Sequence, residues 1–250
     1  MTTTRPKLCH SILIFLLSVA AIPADAQTVQ DFRTCQQAMT SPDKAIPACT
    51  VLIKTGRGAG GRLPALALAS ILGIRGVAYS TKGQPALAIA DYTAALALGQ
   101  ATAKADLLNL RGSAYVTLND LPSALADYGQ ALEAAKAKPT QAEIMSNRSY
   151  IYILQRKYAL ALSDLNKAIA MAPNLAAAYS KRAMLYSVMG EDQKASADYG
   201  TAIRLDPKTA QAYATEKERD QIWIDYLKDI QDTDDYVNWS APPLDALRGQ

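Results

Sequence analysis

The sequence predicts an all-α protein built as an array of stacked helical hairpins, and two observations carry that prediction. Residues 176–209, AAAYSKRAMLYSVMGEDQKASADYGTAIRLDPKT, hold a pattern of small, aromatic and charged residues that recurs three times upstream at spacings of about 34. After the N-terminal segment, no apolar run approaches the roughly 20 residues that a membrane-spanning helix needs. One hairpin of this length cannot bury its own apolar face. The repeat therefore dictates stacking, and it points to binding rather than to chemistry.

Residues 1–26 read as an export signal. Arg5 and Lys7 form a basic start, residues 12–21 an apolar run, and Ala24-Asp25-Ala26 a small-residue cleavage site. On this expectation the mature chain begins at Gln27 and is periplasmic or secreted; an uncleaved N-terminal anchor is the competing reading. Setting the segment aside removes His10, the sole histidine, and Cys9. With Arg5, Lys7 and Asp25 gone, Lys plus Arg falls from 26 to 24 and Asp plus Glu from 23 to 22. That near-neutral balance gives no reason to expect a nucleic-acid partner.

Residues 27–55 read as two antiparallel helices joined near Ser41-Pro42, with Ser41 as N-cap and Pro42 at the first helical position. Cys35 and Cys49 are an even pair in a chain expected to be exported, so a disulfide between the two helices is expected. Closing so short a loop contributes about 3 kcal/mol. Pro47 lies inside the second helix, removes one hydrogen bond and should kink it. The run GRGAGGR at 56–62 reads as a flexible hinge. It lacks the trailing Lys-Ser/Thr of a phosphate-binding loop.

Four strong copies follow, at 69–102, 105–138, 142–175 and 176–209. The first helix of each holds an aromatic at one place: Tyr79, Tyr115, Tyr152 and Tyr186. The second helix holds Ala88, Ala124, Ala161 and Ala195; four positions on, Tyr92, Tyr128, Leu165 and Tyr199; then Ala95, Ala131, Ala168 and Ala202. Residues three and four apart share a helical face, so Ala88-Tyr92-Ala95 is one stripe. Small residues let helix axes approach to about 8 Å, so Gly76 and Gly112 are expected to face Ala88 and Ala124 while the tyrosines fill the grooves. Gly83 and Gly190 supply turns, and Pro85 and Pro122 sit where second helices start.

This pattern resembles the tetratricopeptide repeat (TPR), through Gly76 and Tyr79, Gly112 and Tyr115, and Tyr179, Tyr186, Ala195, Tyr199 and Pro207. The resemblance covers about 69–209 and implies a right-handed α-α superhelix, with 27–55 as a degenerate first repeat. One departure is systematic. Where the family usually has leucine before the glycine, the four copies have Arg75, Arg111, Arg148 and Arg182. Each copy also places an aspartate before the second-helix aromatic position: Asp91, Asp127, Asp164 and Asp198. A structural ladder of bidentate Arg-Asp pairs, within or between copies, is preferred over an anion-binding stripe.

The resemblance further implies that first helices line a concave groove. Groove candidates are Asn109 and Ser113, Asn147 and Tyr150, and Lys181 and Met184. Asn offers a donor and an acceptor to a peptide backbone, and Lys181 could meet a carboxylate. Only Asn147 and Lys181 come near the family's carboxylate clamp, because Ile74 and Leu110 take the equivalent places earlier; simple solvated positions are the bland alternative. Residues 210–230 read as a capping helix with Tyr213, Ile222, Trp223, Tyr226, Leu227 and Ile230 on its apolar side, and 231–250, including Trp239, as an extended tail.

An enzyme is not expected. Histidine is absent from the mature chain, the cysteines are expected to pair, no zinc ligand set survives, and Asp232-Thr233-Asp234-Asp235 lacks the glycine and distal Glu of a calcium loop. No cofactor or metal is implied. The expected function is a non-catalytic scaffold that binds a protein or peptide on the first-helix face. The alternative is a structural subunit of an envelope assembly, joined through repeat edges or the C-terminal helix; a carbohydrate or lipid ligand has no positive support in the sequence.

Overall fold

Prolines and left-handed turn residues punctuate the chain into ten helices, seen in a computed structural model that describes residues 26–58, 61–99 and 103–207. The helices are α1 (Ala26–Cys35), α2 (Pro42–Thr55), α3 (Ala65–Thr81), α4 (Pro85–Ala97), α5 (Lys104–Thr117), α6 (Leu121–Ala134), α7 (Lys138–Leu154), α8 (Tyr158–Met171), α9 (Ala176–Val188) and α10 (Asp192–Leu205). Two compact units divide the chain at Ala135 and Lys136. The first holds α1–α6 and the second α7–α10. In both, consecutive helices pair as hairpins, and each hairpin packs on its neighbour in the same unit. Residues 1–25 and 208–250, and with them the expected cleavage site, capping helix and tail, lie outside the described residues.

One turn closes all four strong hairpins. Gly83, Asn119, Arg156 and Gly190 adopt φ of 69°, 59°, 55° and 75°. The amide after each donates to the carbonyl of the first-helix tyrosine: Gln84 to Tyr79, Asp120 to Tyr115, Lys157 to Tyr152 and Glu191 to Tyr186, at 2.8–2.9 Å. This is the six-to-one bond that satisfies an otherwise orphaned helix-end carbonyl. Pro42 and Pro85 then open second helices from the first turn, where a missing N–H costs nothing. Asp120 caps α6 by accepting from the Ser123 amide at 3.1 Å. Ser41 stands at the N-cap of α2 without a side-chain cap bond, and α2 runs unbroken through Pro47.

In the first unit the core holds Cys35, Cys49, Leu52, Ile71, Ile74, Ala88 and Tyr92. Cys35 and Cys49 form a disulfide that joins α1 to α2, with Cα atoms 4.9 Å apart. The glycine notches are filled differently from the sequence expectation. A Cβ on Gly76 would lie 2.5 Å from the Tyr92 ring, and one on Gly112 would lie 2.8 Å from the Tyr128 ring. Each glycine therefore receives the aromatic ring itself rather than an alanine. Both rings are buried, and the apolar area of a ring outweighs what a methyl group could contribute in the same notch. In the second unit Ala161, Leu165, Ala168, Ala178, Met184 and Leu185 form the corresponding core.

Within residues 56–62, expected from their glycines to be a flexible hinge, the described residues are paired. Arg57–Gly58 and Gly61–Arg62 pair as a two-residue antiparallel ladder, β1 and β2, which touches α1 and α2. The Leu63 amide donates to the Gly56 carbonyl at 2.8 Å, and Gly56 and Gly61 take φ of 60° and 107°. Glycine is needed there for conformation, and the result is a closed loop.

Candidate functional site

The first-helix positions sort by burial. In the first unit, Asp106, Asn109 and Ser113 share one face of α5. Asn109 is only 1% exposed, so it sits inside the protein and cannot be a contact residue. Ser113 is half-buried; its hydroxyl donates to the Asn109 carbonyl at 3.0 Å and lies 3.0 Å from Tyr128 Oη. Asp106, absent from the sequence candidates, is half-buried in the first turn of α5, and desolvation pushes its carboxyl above the ordinary range. Only its place one turn before Asn109 could have signalled it.

In the second unit Met184 is 3% exposed and packs in the core, which removes it too. A long apolar side chain on the inner face of a hairpin gains more from burial than from facing water. Asn147, Tyr150 and Lys181 are half-buried and reach the surface. Lys181 on α9 donates to Asn147 Oδ1 at 3.2 Å and to Ser146 Oγ at 3.4 Å, both on α7. Asn147, Tyr150 and Lys181 thus form a surface-reaching cluster of polar and aromatic side chains on α7 and α9.

Each of the four arginines donates both Nε and Nη2 to the aspartate sixteen residues on in its own hairpin. The distances are 2.8 and 2.7 Å for Arg75 and Asp91, 2.7 and 2.7 Å for Arg111 and Asp127, 2.8 and 2.9 Å for Arg148 and Asp164, and 2.7 and 2.9 Å for Arg182 and Asp198. Nη1 then reaches back to the preceding hairpin: Arg75 to Thr50, Arg111 to Thr93, and Arg182 to Asn166, at 2.9, 3.0 and 2.7 Å. Each guanidinium also stacks near the tyrosine four residues on, 5.6–6.0 Å from the ring centre. The aspartate bond raises the arginine pKa further above its ordinary value. An arginine with three nitrogens engaged is a staple between hairpins.

A family model of the tetratricopeptide repeat matches residues 105–138, 142–175 and 176–209. Those three segments are tetratricopeptide repeats. The copy at 69–102 is not among the matched segments, although its Gly76-Tyr92 contact repeats that of Gly112 and Tyr128. Among solved structures, the chain resembles MamA, with 20% identity over 74% of this chain and 94% of that one and a TM-score of 0.53. It also resembles a tetratricopeptide repeat protein from Parabacteroides merdae, with 20% identity over 88% and 84% and a TM-score of 0.55. YrrB, described as a TPR protein with an unusual peptide-binding site, is 18% identical over 86% of this chain and all of its own, with a TM-score of 0.50. No curated protein matches. At these identities the likeness establishes the fold, and TPR proteins as a class are interaction modules that bind proteins or peptides.

Proposed function

We propose that this protein is a non-catalytic scaffold, exported to the periplasm or beyond, that binds an extended or helical segment of a partner protein along its first helices. Export is supported by the basic start, apolar run and Ala24-Asp25-Ala26 site of the sequence. The observation that carries the binding reading is the surface-reaching cluster of Asn147, Tyr150 and Lys181. A peptide backbone laid across α7 and α9 would meet a donor and acceptor at Asn147, an aromatic body at Tyr150 and a cation at Lys181. In the first unit Ser113 and Asp106 offer polar groups on α5.

A photo-crosslinking amino acid at position 150 tests this. The expected result is one dominant crosslinked partner, lost when Asn147→Ala and Lys181→Ala are combined in a protein whose melting is unchanged. A crosslink pattern that the double variant leaves intact would overturn the reading, and loss only on altering hairpin edges would favour a structural subunit.

A further inference from the structure

From Lys44 to Ala90 the sequence has six Lys and Arg residues and no Asp or Glu. Arg75 is taken by Asp91 and Lys82 by Asp43. The other four, Lys44, Lys54, Arg57 and Arg62, are exposed and belong to no ion pair among the described residues. Lys44, Val51 and Lys54 fall within about 80° of arc on α2, along about 15 Å of its length. At the end of that stripe the closed loop sets Arg57 directly opposite Arg62. Like charges directly opposite in a ladder destabilise it, and among the described residues no carboxylate pairs with them. Val51 on the same stripe and Leu66, four residues after Arg62 in sequence, are large apolar residues 46% and 37% exposed.

We propose that this face of the disulfide hairpin docks on an anionic phospholipid surface, a contact separate from the first-helix cluster. Lipid phosphates satisfy the paired guanidiniums and the two lysines, while Val51 and Leu66 enter the acyl boundary just beneath. A nucleic acid is the poorer fit, because residues 44–66 contain no aromatic side chain on which a base could stack. An acidic peptide would satisfy the charges but leaves the exposed apolar pair without a layer to enter.

The test is co-sedimentation of the purified protein with vesicles of phosphatidylcholine alone and with about one-third phosphatidylglycerol, at low and high salt. Any retained N-terminal apolar segment is common to every arm. Binding should require phosphatidylglycerol and weaken with salt. Arg57→Ser with Arg62→Ser should lower partition on the order of thirtyfold, from roughly fivefold per basic residue at the surface. Arg57→Lys with Arg62→Lys should retain it, and Lys136→Ser with Lys138→Ser, of equal charge change elsewhere, should alter it less than about twofold. Melting of each variant checks its fold. The proposal is overturned if anionic vesicles are not bound, if both serine pairs behave alike, or if a DNA oligomer or a poly-aspartate peptide binds as tightly as the vesicles do.

Discussion

Single side chains here act through what they would leave behind. Arg148 is 22% exposed in its side chain, whereas Asp164, its partner, is 7% exposed. Arg148→Ala strands a carboxylate in a site nearly closed to water; Asp164→Ala frees a long cation that can reach solvent. Chemical denaturation should therefore show Arg148→Ala costing about 3 kcal/mol and Asp164→Ala about half of that. The double variant should fall short of their sum by at least 1 kcal/mol, whereas simple additivity would argue against coupling. Tyr128 makes a pH-dependent case. Burial first, then the nearby Asp127 charge, pushes its phenol from 10.0 to about 12, against the opposing Ser113 hydrogen bond. The folded state thus keeps a proton that the unfolded chain gives up near pH 10. The stabilisation is fully present below pH 10 and disappears as pH rises from about 10 to about 12, a loss of roughly 2–3 kcal/mol. Unfolding curves at pH 9 and 11.5 should show the native chain losing about 2 kcal/mol more than Tyr128→Phe.

At the scale of one hairpin, turn and notch are separable devices. All four strong turns need a left-handed residue, yet Arg156 fills one of them with a side chain that resists the conformation. Arg156→Gly should stabilise by about 0.5–1 kcal/mol, and Gly190→Ala should destabilise by about 1 kcal/mol. Opposite signs in thermal melts are the outcome that supports a shared turn. The sequence showed two of these turns through Gly83 and Gly190; Asn119 and Arg156 gave weaker signals, because only the common bond to the tyrosine carbonyl reveals them. The notch makes a second prediction. Gly112→Ala would force its Cβ onto the Tyr128 ring and should cost about 1–2 kcal/mol even after the better helix propensity of alanine. The hairpin of α7 and α8 has already made the compensating exchange, with Ser149 and Leu165 at the matching places. Adding Tyr128→Leu to Gly112→Ala should accordingly recover part of the loss.

At the scale of the molecule, repetition sets how far a disturbance travels within each unit, because each hairpin there packs on its neighbour. Reducing the Cys35–Cys49 bond should lower the stability of the first unit by about 3 kcal/mol. Hydrogen exchange should rise most in α1 and α2 and less in α3 and α4; equal acceleration throughout α1–α6 would contradict that gradient. Much of the fold was legible in residue types because the same solution is written several times. A spacing of about 34, a small residue at each close approach and an aromatic beside it leave one economical way to bury the apolar faces. The site was legible only in part. Asn109 and Met184 hold first-helix positions that look open on a helical wheel, but the wheel cannot say which side chains cover them. The sequence by itself determined the helical repeat, the cysteine pair and the Arg-Asp spacing of sixteen, since each follows from local periodicity and chemistry. Tertiary structure alone decided that Asn109 and Met184 are buried, that three of the four arginines reach back to the previous hairpin, and that Arg57 pairs with Arg62. Those outcomes depend on distances between segments far apart in the chain, which no local pattern encodes.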